Sequence, residues 1–188
     1  GGIVTWNILN NNVTDCEGTT DCVSLFDLVP ALPTNFENEF VVAFDAWAAV
    51  ANISFARETR RNRGDIRISA HSFDGAGLVL AHAFAPQAST SPLIGDVHFD
   101  SAENWTIGGA GFDIFTVALH EIGHSLGLAH SSVSGAVMAA FYGGPQAGLS
   151  NDDILGIQAI YGVAVPLPSA IIMLFSALLT FGISSRRL

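Results

Sequence analysis

Apolar residues recur along the chain with two periods, and the changes of period mark its elements. Residues 3–9 open on a strand-like run, Ile3-Val4-Thr5-Trp6. From Thr34 to Ala51, Phe36, Phe40, Ala43, Phe44, Trp47 and Ala51 recur at helical spacing, and Thr34 with Glu37 predicts a capping box. Residues 57–63 form an arginine-rich turn. Asp65–Ala70 alternates as a strand does. Leu78–Phe84 and Asp96–Phe99 read as two more strands, joined by a loop rich in Gly, Pro and Ser. Asp113–Leu126 predicts a second helix, and Ser150–Tyr161 a third with Ser150 as N-cap. A strand, a helix, several strands and then two helices make an α+β order, not an alternating one.

The last two dozen residues break this pattern. Val165-Pro166-Leu167-Pro168 precedes a charge-free apolar run from Ser169 to Ile183, and Arg186-Arg187 follows it. Fifteen helical residues rise about 22 Å, short of the roughly 30 Å of a bilayer core unless flanking residues extend it. A Pro-x-Pro motif, a hydrophobic helix and terminal arginines resemble the bacterial C-terminal sorting signals of the PEP-CTERM type, with Leu167 in place of their glutamate. That resemblance implies an exported chain, secreted or at the bacterial cell surface, associated with the membrane through this segment before processing. The division expected is a domain over 1–162 and a linker plus sorting or anchor segment over 163–188. The Gly1-Gly2 start, with no initiator methionine, reads as a mature or truncated product.

Charge narrows the functions available. The chain has 188 residues, 49% hydrophobic and 13% charged, with a formal charge of −10. That composition fits one folded domain. All seven basic residues are arginines, and residues 1–165 hold five of them against all 17 acidic groups, a balance of −12. Such a field repels nucleic acid and suits bound divalent cations. The only cysteines, Cys16 and Cys22, bracket a polar loop. A disulfide across it is preferred to a zinc pair, because no histidine is near in sequence.

The chemistry concentrates between His120 and His130. His120 and His124 lie one helical turn apart and project from one face, the right placing for two ligands of one metal. A continuing helix would aim His130 about 120° away. The chain must therefore turn, and Gly127 is the residue able to do it. Three neutral imidazoles leave one tetrahedral position for water, which marks a catalytic zinc. Glu121 can lie beside such a zinc without binding it. It would take a proton from the activated water as general base and pass it to the leaving amine of a peptide.

The full pattern, H-E-x-x-H-x-x-G-x-x-H over 120–130 with Met138 beyond it, resembles the metzincin metallopeptidases. Within them, Ser131 after the last histidine, Val137-Met138-Ala139-Ala140-Phe141-Tyr142, and the blocks 149–154 and 156–162 resemble the matrixins, the matrix-metalloproteinase-like family. The resemblance covers residues 3–162. It implies a twisted, mostly parallel sheet with three helices and a zinc cleft, and a zinc metalloendopeptidase acting on protein or peptide substrates as a monomer. Met138 would underlie the zinc as packing, and Tyr142 would help wall the specificity pocket. Asp152 and Asp153 would serve as helix N-terminal charges.

The blocks 71–84 and 95–100 resemble the matrixin structural-zinc and calcium region. Carried over position by position, His71, His82 and His98 would bind a structural zinc. Phe73 stands where the family has its fourth ligand, an aspartate, so that ligand is open. Calcium would be held by carboxylates of Asp74, Asp100 and Glu103 and carbonyls of Gly75, Gly77 and Val79. A second calcium would use Asp65 and Asp96 with carbonyls of Pro92 and Ile94. The Leu78–Phe84 strand would be the edge to which a peptide adds. The rival readings are another metzincin subtype, such as a serralysin or astacin relative, and an inactive metal-stabilised surface-binding protein.

Overall fold

The computed structural model describes residues 2–9, 13–17, 20–25, 35–60, 62–86 and 92–165, with backbone only at 13–17, 20 and 21. In chain order the elements are β1 (Ile3–Ile8), β2 (Val13–Glu17), β3 (Thr20–Cys22), α1 (Glu37–Val50), β4 (Ser54–Arg57), β5 (Ile66–His71), β6 (Ala81–Ala83), β7 (Val97–Asp100), β8 (Trp105–Thr106), β9 (Phe112–Asp113), α2 (Ile114–Ser125) and α3 (Asn151–Tyr161). The main sheet runs β4-β1-β5-β7-β6. All its neighbours are parallel except β6, which pairs antiparallel with β7 and forms one edge. Three helices on a mostly parallel twisted sheet make the expected α+β architecture.

Side-chain alternation divides the sheet into two faces. Ile66, Ile68 and Ala70 of β5 and Val97 and Phe99 of β7 point into the core. There they meet the α1 stripe of Phe40, Ala43, Phe44 and Trp47, each at most 1% exposed. Each large apolar side chain so buried contributes about 1.5–3 kcal/mol. Trp6 stacks on Phe44 at 4.6 Å, and the Trp47 indole N–H donates to the Leu119 carbonyl at 3.1 Å, which ties α1 to α2. The other face carries Ser69 and His71 of β5, His98 and Asp100 of β7 and His82 of β6. Beside the end of β5 runs the segment after β3, where Val23 and Ala70 form an antiparallel bridge.

Several boundaries differ from the expectations. The first helix starts at Glu37 with Phe36 as N-cap and no side-chain cap bond. Thr34 of the expected capping box lies outside the described residues. The Leu78–Phe84 strand contracts to Ala81–Ala83, with residues 78–80 lying between the Gly77 turn at φ 89° and the strand. Arg57 is not in a free turn: it ends β4, pairs with Glu37 at 2.5 Å and lies over the Trp6 ring at 5.3 Å. The third helix follows its sequence signal closely, with a reciprocal Ser150–Asp153 capping box. No helix among the described residues is long and apolar enough to cross a membrane. The 169–183 run lies outside them.

Candidate metal centre

Asp113 starts α2 by accepting from the Thr116 N–H and hydroxyl at 2.9 and 2.7 Å. The helix ends where Gly127, at φ 101°, donates to the His124 carbonyl, and Leu128 N–H reaches back to Gly123. That left-handed turn is open to glycine at no steric cost. It swings His130 back, so the three imidazoles converge with ring centres 4.6, 4.7 and 5.3 Å apart.

The hydrogen bonds fix which nitrogens face inward. His120 Nδ1 contacts the Val137 carbonyl at 2.7 Å and His124 Nδ1 the Leu128 carbonyl at 2.8 Å. A carbonyl only accepts, so both Nδ1 atoms carry the proton. The Nε2 lone pairs then face each other at 3.0 Å. Two such lone pairs repel unless a cation lies between them, and a tetrahedral zinc at ~2.05 Å from each nitrogen sets them about 3.3 Å apart. The residues fit the metal. Burial, reinforced by His124 and His130, lowers the His120 pKa to about 4, and burial lowers that of His124. Both rings are thus neutral at neutral pH, the form that ligates.

Glu121 lies in the same cleft as the three histidines. It is 5% exposed, its Oε2 has no hydrogen-bond partner, and burial pushes its pKa up to about 8. A divalent cation beside it would favour the ionised form. Glu121 and the three histidines line a cleft of about 700 Å³. One wall carries Leu78 to Ala83, ending at the β6 edge; the opposite wall carries Ala139 to Gly144. Tyr142 lies on that second wall, and its hydroxyl accepts from the Asp113 N–H at 3.0 Å.

Met138 is 2% exposed and packs directly beneath α2: a Cβ on Gly123 would overlap its sulfur. Asp153 holds this turn in place. Its carboxylate accepts from the N–H groups of Val137, Met138 and Ser150 at 2.9, 3.0 and 2.8 Å. Burial alone would raise its pKa, but these bonds and the Ser150 hydroxyl outweigh burial and lower it. Asp152 accepts from Ser131 Oγ at 2.6 Å. Both aspartates therefore do more than charge a helix end. The sequence signals only their position in the first turn.

On the outer sheet face the rings of His71, His82 and His98 have centres 5.2, 5.2 and 5.7 Å apart. Imidazoles around one tetrahedral zinc sit about 5 Å apart centre to centre, so this trio also fits a metal. Phe73 supplies no donor and packs against His71 and His82 at 4.3 and 4.5 Å. The structure brings a residue here that sequence distance hid. Cys22 Sγ and ring nitrogens of His71 and His98 all lie within 4.8 Å of one another. Histidines are thus near Cys22 in space, contrary to the expectation. Cys22 is disulfide-bonded; the side chain of Cys16 lies outside the described residues.

Asp100 is fully buried with Oδ2 unpartnered, while Glu103 accepts from Gly77 N–H at 2.6 Å and Asp74 from Val79 N–H at 3.4 Å. These bonds tie Glu103 to Gly77 and Asp74 to Val79. Protein groups engage three residues of the second calcium set. The Arg67 guanidinium bonds Asp96 at 2.6 and 2.8 Å and the Pro92 carbonyl at 3.0 Å, a protein cation taking donors assigned to the metal. Asp65 is bound instead by Thr5 N–H and hydroxyl at 2.8 and 2.7 Å.

A family model described as Matrixin matches residues 29–162. The chain is 42% identical over 137 residues to karilysin of Tannerella forsythia, covering 69% of this chain and 29% of that protein. It is 46% identical over 132 residues to human matrix metalloproteinase-20, covering 64% and 26%, and 43% identical over 133 residues to human neutrophil collagenase, covering 65% and 28%. The match spans less than a third of the length of these curated relatives.

Proposed function

The chain belongs to the matrixin family, and from that premise we propose that it is a zinc-dependent endopeptidase whose catalytic base is Glu121. The observation that carries this reading is the pair of inward lone pairs on His120 and His124, 3.0 Å apart, beside the buried, unpartnered Glu121 Oε2. His120, His124 and His130 would hold the zinc. When bound, zinc supplies Lewis acidity toward a peptide carbonyl and acidity to water. Val137 and Leu128 carbonyls keep the two helical imidazoles in one tautomer and orientation. Glu121 accepts the proton of the attacking water and returns it to the leaving amine. A peptide would lie along the cleft and add as a strand to the exposed edge of β6, with Tyr142 on the facing wall.

We read the remaining features as support for this domain. His71, His82 and His98 would hold a structural zinc. Asp74, Asp100 and Glu103, with carbonyls of Gly75, Gly77 and Val79, would hold calcium, toward which the orphaned Asp100 Oδ2 is suited. Residues 1–162 would be the catalytic domain, and 163–188 the linker and sorting segment of an exported enzyme. The test is Glu121→Ala against the native chain on casein, with metal content measured in parallel. Zinc is expected to remain and cleavage to be lost. Equal cleavage by both forms would overturn the role of Glu121.

A further inference from the structure

We propose that Cys22, once released from its disulfide, is the fourth ligand of the zinc held by His71, His82 and His98, so that this site is redox-sensitive. The inference rests on the structural-zinc reading above and goes one ligand beyond it. A structural zinc takes four ligands with no open position. The three imidazoles supply three, and Phe73, packed against two of them, has no donor atom.

Position supplies the fourth. The antiparallel bridge between Val23 and Ala70 sets the end of β3 alongside the end of β5. Cys22 thereby lies on the histidine face, 0% exposed, with Sγ and nitrogens of His71 and His98 mutually within 4.8 Å. In a tetrahedral site with Zn–S of about 2.3 Å and Zn–N of about 2.05 Å, sulfur and nitrogen are separated by about 3.6 Å. For Cys22, His71 and His98 the closing movement needed is about 1 Å, while His82 lies outside this close cluster and joins it through its ring packing on His71 and His98. Charge points the same way. Three neutral imidazoles leave a buried dication uncompensated, and one thiolate halves that charge.

A sulfur in a disulfide is no thiolate, so the two bonds of Cys22 exclude each other. The exchange balances simply. An external dithiol gives two electrons and two protons to the disulfide and becomes a disulfide itself. Cys22 then loses its thiol proton to solvent and donates the freed electron pair to the metal. The oxidised site keeps three protein ligands, and its zinc affinity should fall at least about tenfold.

The test uses the full chain as native protein, Cys16→Ser, Cys22→Ser and His98→Ala, loaded with zinc and separately with cobalt(II). Cys16→Ser removes the chain's other cysteine, leaving Cys22 unable to form an internal disulfide. It is expected to show one sulfur at about 2.3 Å in zinc X-ray absorption. The cobalt form should show a thiolate charge-transfer band that Cys22→Ser lacks. Should Cys16→Ser fold poorly, native protein under dithiol reductant takes its place, and zinc is expected to protect Cys22 from alkylation. If His98→Ala loses one metal while no form shows sulfur ligation, the second zinc stands and the role of Cys22 is overturned. If His98→Ala loses no metal, the structural-zinc reading and this proposal both fall.

Discussion

Replacing Asp153 by alanine tests whether the turn beneath the zinc is held by one carboxylate. Asp153 is 2% exposed and receives three backbone N–H groups at 2.8–3.0 Å. Alanine leaves those donors without an acceptor in a place water reaches poorly. Each buried unsatisfied donor costs roughly 1–3 kcal/mol, and partial relaxation brings the sum to about 3–5 kcal/mol. The effect should reach the metal. Val137 donates to Asp153 through its N–H and receives His120 Nδ1 on its carbonyl at 2.7 Å. Loosening Val137 therefore frees the His120 ring, and zinc affinity should drop about 10–100-fold. Asp153→Asn keeps one carbonyl oxygen and should fall between. Urea denaturation of the zinc-free chains gives the stability, and competition with a chromophoric chelator gives the affinity. A Asp153→Ala form within about 1 kcal/mol of native, binding zinc equally, would refute the reasoning.

Zinc removal should leave a pH signature. With its folded pKa near 8 against 4.5 unfolded, Glu121 holds its proton more tightly in the folded, metal-free chain. Stability from this group is therefore present below pH 4.5 and lost as pH rises to 8. The loss between pH 5 and pH 8 should be about 3.5 kcal/mol relative to Glu121→Gln, read by denaturation in chelator at those two values, and should shrink when zinc is restored. Arg67→Ala strands the buried carboxylate of Asp96 and should cost about 3–5 kcal/mol, with Arg67→Ala/Asp96→Ala recovering part in a double-mutant cycle. Gly123→Ala puts a methyl against Met138 and Trp47. It should lower the thermal midpoint through about 1–3 kcal/mol of overpacking and weaken zinc retention in dialysis.

What could be read from the sequence was what is encoded locally. The third helix carries its own start signal in Ser150 and Asp153, and the 120–130 motif states its spacing and the need for a turn at Gly127. Long-range pairing was not legible. Cys22 and His71 are 49 positions apart and meet only because β3 passes the end of β5. The reach of Asp153 to Val137 and Met138 depends on how α3 docks, and nothing in the helix-start pattern announces it. The start of the first helix is less legible: α1 begins at Glu37 after Phe36, which makes no side-chain cap bond and carries no start signal in its residue type. Arg67 lies in an alternating strand, where a polar residue reads as solvent-facing; its bond to Asp96 became visible only with β5 and β7 side by side.

That guanidinium changes what this corner of the sheet requires from its surroundings. A cation tethered to the chain cannot be washed away, diluted or captured by a competing carboxylate. The end of the sheet beside the zinc helix, where Ser125 also donates to the Gly95 carbonyl at 3.0 Å, would keep its shape in media depleted of mineral ions. Arg67 is a counter-ion covalently attached to the chain, so that corner should respond to salt screening of its ion pair with Asp96.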